Sequence, residues 1–458
     1  DNGIMHTHEQ RFPNGMKPIA DYVHGLGMKA GLYTDAGNST CGSMWDNDAA
    51  GVGAGIYGHE PQDAQLYFGD WGFDFIKIDY CGGDALGLNE KERYTSIRNS
   101  IDKVNKDVSI NICRWAFPGT WAKDAATSWR ISGDINAHWG SLRYVVGKNL
   151  YLSAYAGNGH YNDMDMMVIG FRNDSKVGGQ GLTPTEEEAH FGLWCIMSSP
   201  LLIGCNLENM PDSSLELLTN KELISLNQDP LGLQAYVAQH ENEGYVLVKD
   251  IEQKRGNVRA VALYNPSDTI CSFSVPFSSL EFGGNVKVRD LVKHSDLGNF
   301  SGTFEQTLPA HSAMFLRIEG ETRLEPTLYE AEWAYLPLFN DLGKNPKGII
   351  YAHDKEASGK MKVGFLGGQP ENYAEWREVY SENGGRYDMT IHYLYGKGRQ
   401  IELDVNGIIT KIDSLGEDNG HNQITVPVEL KAGYNTIRMG NSYNWAPDID
   451  CFTLTKAL

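Results

Sequence analysis

Between residue 13 and about residue 230, short apolar runs alternate with stretches whose apolar positions recur at helical spacing, the pattern of βα units around a parallel sheet. The runs that read as strands are Met28–Tyr33, Phe73–Asp79, Val108–Cys113, Arg130–Gly133, Met164–Ile169 and Leu201–Ile203. They are short and largely apolar, as strands covered on both faces are. Helical stretches separate most of them: Gly15–Leu26 stops at Gly27, Pro61–Trp71 stops at Gly72, and Asn89–Asn105 carries mixed charge. Another helix opens at Thr183-Pro184-Thr185-Glu186, where Thr183 can cap, Pro184 fits the first helical position and Glu186 completes a capping box.

From about Gly232 to Ile318 the period changes to two, as in Tyr245–Val248, Val258–Tyr264 and Ala313–Ile318, which predicts an antiparallel β-sandwich. The charged, Pro-containing stretch Glu319–Thr327 reads as a connector. Beyond it, Tyr387–Leu394, Gln400–Val405 and Asn435–Met439 repeat the strand period and predict a second all-β domain. The expected division is a βα-unit domain over 1–230, an antiparallel β-sandwich over 231–320 and a further β-sandwich over 328–458.

A formal charge of -20 with no Lys/Arg clusters removes the electrostatic footprint that phosphate backbones or anionic lipid require. Neither nucleic acid nor a membrane surface is an expected partner. Seven cysteines without a CxxC pair argue against structural zinc, and their plain reading is buried small apolar residues. His6-Thr7-His8-Glu9 and Asp46-Asn47-Asp48 carry metal-binding residue types, but they lack further partners and the spacing of a calcium loop, and read as surface loops.

The chemistry concentrates at strand ends. Asp35, Asp79 and Asp134 each follow or close a strand candidate, Asp165 lies within another, and in a (β/α)8 barrel the C-terminal strand ends converge on one mouth. In Phe75-Ile76-Lys77-Ile78-Asp79-Tyr80-Cys81 the side chains alternate, so Lys77 and Asp79 share a face while Ile76 and Ile78 pack on the other. A Lys and an Asp pointing inward cost free energy unless they are used. The alternative is a plain buried ion pair.

Seven ordered motifs over residues 1 to about 318 resemble glycoside hydrolase family 27, the melibiase (α-galactosidase) type. They are Arg11-Phe12-Pro13-Asn14-Gly15-Met16-Lys17, Asp21-Tyr22-Val23-His24, Gly31-Leu32-Tyr33-Thr34-Asp35-Ala36-Gly37 followed by Thr40-Cys41, Lys77-Ile78-Asp79-Tyr80-Cys81, Trp129-Arg130-Ile131-Ser132-Gly133-Asp134-Ile135, Tyr161-Asn162-Asp163-Met164-Asp165-Met166 and Ser199-Pro200-Leu201-Leu202-Ile203-Gly204. The resemblance implies an α/β fold, a (β/α)8 barrel followed by two antiparallel β-sandwich domains. It implies Asp79 as nucleophile and Asp134 as general acid/base of a retaining exo-glycosidase, with no cofactor for catalysis. Tyr33, Lys77, Arg130, Asp165 and Met166 would line the sugar subsite, beside a Cys41–Cys81 disulfide. One position departs: the family's Cys-Glu-Trp or its Ser variant reads Cys113-Arg114-Trp115, where Arg114 either faces the sugar's 2-substituent or turns away to a loop carboxylate. The strand Met28–Tyr33 matches the third strand of the family's barrel, so this barrel is expected to lack its N-terminal strands in the chain and to be completed by a preceding segment.

Near the C-terminus, Tyr329-Glu330-Ala331-Glu332 and Asn444-Trp445-Ala446-Pro447-Asp448-Ile449-Asp450 resemble family 35 or family 6 carbohydrate-binding modules. That resemblance implies a structural Ca2+ held by Glu330, Glu332 and Asp450, whose hard oxygen donors suit it. Taken without the resemblance, the three acids are a solvated face. The expected substrate is a galactose-containing oligosaccharide or polysaccharide. β-L-arabinopyranosides and α-N-acetylgalactosaminides are the neighbouring choices, and a sugar-binding protein on an inactive barrel is the rival. A secreted or periplasmic location is expected from the family and its disulfide.

Overall fold

The computed structural model describes residues 3–171, 180–343, 348–413, 415–416 and 418–457. The chain divides into two compact units, Asp1–Gly133 and Asp134–Leu458. In the first unit, strands β1 (Gly31–Asp35), β2 (Phe75–Asp79), β3 (Ser109–Ile112) and β4 (Ser128–Arg130) run parallel in that order. Helices Lys17–Gly25 and Glu90–Asp102 precede β1 and β3, and a short helix, Glu60–Ala64, widens into a π turn over Gln65–Asp70 before β2. Ile76, Ile78, Ile110 and Ile112 are at most 1% exposed, so one face of this sheet is closed by apolar packing.

The second unit carries the strand Tyr161–Asp163, a parallel bridge between Met167 and Ile203, and the helix Pro184–Ile196. That helix starts with the capping box read from Thr183 and Glu186. Met164–Ile169 and Leu201–Ile203 are otherwise not strands. Asp165 adopts a φ of 77°, a left-handed conformation that breaks a strand, so the apolar run there packs as a loop. The strand expected over Arg130–Gly133 instead spans Ser128–Arg130.

A six-stranded antiparallel sheet follows, formed by Tyr236–Glu241, Gly244–Asp250, Val258–Asn265, Ser312–Arg323, Phe282–Asp290 and Ser295–Ser301. A two-stranded sheet, Cys271–Pro276 with Thr303–Leu308, shares its core through Val275, Phe304, Leu316 and Ile318. The strand Ser312–Arg323 runs into the supposed connector because Glu319–Arg323 continues its pairing with Phe282–Lys287. The last section has two further antiparallel sheets around a core that includes Trp376, Met389, Ile391, Ile437 and Phe452. Within this unit Trp333 Nε1 donates to Val237 O at 2.8 Å, and Lys148 pairs with Asp341 at 2.6 Å. A parallel strand–helix array followed by antiparallel sheets is thus the architecture. Among the described residues no helix is long and apolar enough to cross a membrane.

Candidate active site

Register builds the first half of the site. Tyr33 lies opposite Lys77, Lys77 opposite Asn111, and Asp35 opposite Asp79. Paired residues of neighbouring strands point to one face, so Tyr33, Lys77 and Asn111 form a polar layer, with Asp35 and Asp79 above it at the strand ends. Asp79 is 7% exposed. The Tyr33 hydroxyl donates to its Oδ2 at 2.7 Å, and burial, reinforced by this carboxylate, pushes the phenol pKa far up, so Tyr33 remains a donor. Asp79 Oδ1 is buried and has no hydrogen-bond partner among the described residues.

Cys41 and Cys81 form a disulfide, and Cys41 Sγ stands 3.4 Å from Asp79 Oδ2. Asp35, fully buried, accepts from the N–H of Gly37 at 2.6 Å and of Gly82 at 3.1 Å, holding together the two loops that the disulfide joins. A Cβ on Gly37 would lie 2.0 Å from the Gly82 carbonyl carbon, so the loops can meet only backbone to backbone. The sequence marks Asp35 only as one acid among four. Its bracing role depends on Gly82, which the fold brings in from 47 residues away.

Arg130 is 1% exposed and donates from Nη2 to Ser132 O at 3.2 Å. Arg114 takes the second of its two readings. Its Nε donates to Glu90 at 3.2 Å, its Nη2 donates to Asp84 at 3.0 Å, and the guanidinium lies 5.0 Å from the Tyr80 ring centroid. Two carboxylates and a ring face hold the guanidinium in this structure.

The second unit begins at Asp134, which is exposed. The next amide, Ile135 N–H, donates to Asp165 Oδ2 at 2.9 Å, and Met166 N–H donates to Asp165 Oδ1 at 2.8 Å. Asp165 N–H in turn donates to Asp163 Oδ1 at 2.8 Å, and Trp194 Nε1 donates to Asp165 O at 2.8 Å. Met166 is half-buried against Gly204, where a Cβ would meet its sulfur at 2.4 Å.

Glu330, Glu332 and Asp450 are buried rather than a solvated face, at 5%, 1% and 5% exposure. Ser358 bridges two of them, its Oγ donating to Glu330 Oε1 at 2.5 Å and its N–H to Asp450 Oδ1 at 2.9 Å. Glu330 Oε2 and both Glu332 carboxylate oxygens have no hydrogen-bond partner among the described residues. Burial raises all three, Glu330 to about 7, Asp450 to about 6 and Glu332 well above the carboxylate range, where the Glu330 charge adds to it. Buried carboxylate oxygens without donors fit a hard divalent cation such as Ca2+. Ser358 is not legible as part of this group, because it precedes Asp450 by 92 residues.

Carboxylates placed at the ends of parallel strands and followed by a β-sandwich are the build of a glycoside hydrolase. The α-galactosidase A (melibiase) family profile matches residues 1–229, and the profile of the α-galactosidase C-terminal β-sandwich domain matches 243–318. α-Galactosidase 3 of Arabidopsis thaliana is 37% identical over 314 residues, covering 68% of this chain and 67% of that protein. The structure of α-galactosidase I from Mortierella vinacea superposes with a TM-score of 0.60 at 26% identity, covering 69% of this chain and 83% of that one. A family 27 β-L-arabinopyranosidase from Geobacillus stearothermophilus gives a TM-score of 0.60 at 25% identity, over 69% of this chain and 81% of its own. The chain belongs to the melibiase family, glycoside hydrolase family 27.

Proposed function

We propose that the chain is a retaining exo-glycosidase that releases terminal α-D-galactose from oligosaccharides or polysaccharides by double displacement. The observation that carries the reading is Asp79: buried at a strand end, held at one oxygen by Tyr33, with its other oxygen left without a hydrogen-bond partner among the described residues. That is the posture of a carboxylate oriented for attack. Asp79 attacks the anomeric carbon as the glycosidic C–O bond breaks, and Asp134 gives its proton to the departing oxygen. Water then attacks the same carbon, Asp134 takes the water's proton, and Asp79 is released. Tyr33, Lys77, Arg130, Asp165 and Met166 orient the sugar hydroxyls. The disulfide supports folding in an oxidising compartment, secreted or periplasmic.

Domain limits at 1–230, 231–320 and 328–458 belong to this reading, with the last section a carbohydrate-binding module. Glu330, Glu332 and Asp450 hold Ca2+ there, and the ion supplies the positive charge that the three buried acids otherwise lack.

Likeness to the Geobacillus enzyme favours one second reading, β-L-arabinopyranosidase, whose sugar lacks the exocyclic hydroxymethyl group of galactose. A panel of p-nitrophenyl glycosides separates the two, and NMR of the first-formed sugar reports the stereochemistry. Turnover of the α-galactoside with retention is the expected result. An inverted product ends the double-displacement mechanism, and no turnover of any sugar in the panel ends the enzymatic reading.

A further inference from the structure

His190 and Trp194 stand four residues apart on the helix Pro184–Ile196, on one face, and both are fully buried. Their rings meet edge to face with centroids 4.1 Å apart. Each makes one hydrogen bond to the same loop. Trp194 Nε1 donates to Asp165 O at 2.8 Å, and Val168 N–H donates to His190 Nε2 at 2.9 Å. The second bond assigns the ring proton to Nδ1 and leaves the imidazole neutral.

Asp165, whose carbonyl is the first of these anchors, has a φ of 77°. A non-glycine residue in that conformation is strained and persists only where its surroundings over-determine it. The surroundings here are the helix on one side and three hydrogen bonds on the other: Asp165 N–H to Asp163, Met166 N–H to Asp165 Oδ1, and Ile135 N–H to Asp165 Oδ2. The last of these grips the amide that directly follows Asp134. Strain held at Asp165 is therefore transmitted to the backbone that carries the acid/base.

We propose that His190 and Trp194 are positioning residues that set the place of Asp134 through the left-handed Asp165. The inference rests on the acid/base reading of Asp134. Without the indole N–H, Asp165 relaxes toward an ordinary backbone conformation, its grip on Ile135 N–H loosens, and the proton of Asp134 reaches the leaving oxygen less often. Displacement of a catalytic group by an ångström costs about two orders of magnitude where that group is needed. Where the leaving group departs unaided, the cost disappears.

The experiment compares two glycosides of the sugar that the enzyme turns over, one with an alkyl leaving group and one with a dinitrophenyl group, using Asp134→Ala as the benchmark. Trp194→Phe keeps the bulk and removes the donor. It is expected to lower kcat on the alkyl glycoside by about tenfold or more, to leave the first chemical step on the dinitrophenyl glycoside within about threefold, and to move the basic limb of the pH profile. His190→Leu should act alike, and His190→Gln, whose amide oxygen can still accept from Val168 N–H, should restore the rate. Should Trp194→Phe fail to fold, the two His190 variants decide alone. Equal losses on both substrates, or an unmoved pH limb, overturn the proposal. If Asp134→Ala itself shows no dependence on the leaving group, the acid/base reading falls and the positioning falls with it. If the benchmark shows the dependence and the variants do not, only the positioning falls.

Discussion

Asp79 and Glu330 are buried to nearly the same depth, 7% and 5% exposed, but their surroundings differ. Asp79 has a phenol donor on one oxygen, a lysine two residues away on the same face, and a disulfide and backbone loops pressed around it. Glu330 shares its pocket with two more acids, the Ser358 hydroxyl and the Cys451 thiol, and among the described residues no arginine or lysine makes an ion pair with any of the three acids. A buried carboxylate stays charged only where donors or cations replace its water. The first group is completed by its own side chains, with one oxygen left without a donor among the described residues. The second has no arginine or lysine ion pair among the described residues, and that is the observation behind the proposed Ca2+.

The sharpest way to break this contrast is Asp79→Asn, which keeps the shape and removes the proposed nucleophile. Turnover is expected to fall by roughly 10³-fold or more with the thermal midpoint nearly unchanged. Residual activity within about tenfold of the parent would move the nucleophile elsewhere. Replacing both Cys41 and Cys81 by Ala tests whether the loops around Asp79 are held by the bridge or by Asp35 alone. The bridge joins residues 40 apart in sequence, for which loop entropy gives about 4 kcal/mol. A loss under about 1 kcal/mol in urea unfolding would show that the Asp35 clasp is sufficient.

The C-terminal group should respond the other way. Calcium at about 100 times its dissociation constant should raise the stability of this section by about 2.7 kcal/mol, and a chelator should lower a separate unfolding transition. Glu332→Gln should abolish that response and, in chelator, leave the section more stable than the parent, because a carboxyl that burial holds well above its ordinary pKa, at a cost to folding, has been removed. An isotherm and transitions indifferent to calcium would make the three acids an unmetallated, partly protonated network.

Legibility in the sequence follows the same division. The alternation that sets Lys77 and Asp79 on one face is local, and so is the capping box at Thr183; both read directly. The architecture read too, because periods of two and of about 3.6 persist over many residues. Arg114 did not. Its partners Glu90 and Asp84 lie 24 and 30 residues before it, and only the fold shows that they reach its guanidinium. Met164–Ile169 misled because an apolar run looks like a strand until Asp165 turns left-handed, a conformation held by Trp194 from a helix 29 residues on.

His190 supplies the counter-case to both carboxylate groups, a buried titratable residue that needs no partner charge because it is neutral when buried. Desolvation lowers its pKa from 6.5 to about 3, and its Nε2 accepts from Val168 N–H. Between pH 6.5 and 3 the unfolded chain binds the extra proton and the folded chain does not, so stability rises with pH in this window and is lost as pH falls through it. The slope is about 1.4 kcal/mol per pH unit, and above pH 6.5 the contribution is complete. His190→Gln keeps an acceptor for Val168 N–H and cannot titrate. Urea unfolding at pH 5 and pH 7 should therefore show a smaller pH difference for the variant, by about 2 kcal/mol. Equal differences for variant and parent would mean that His190 accepts a proton in place, and that the helix-to-loop contact at Val168 opens in mild acid.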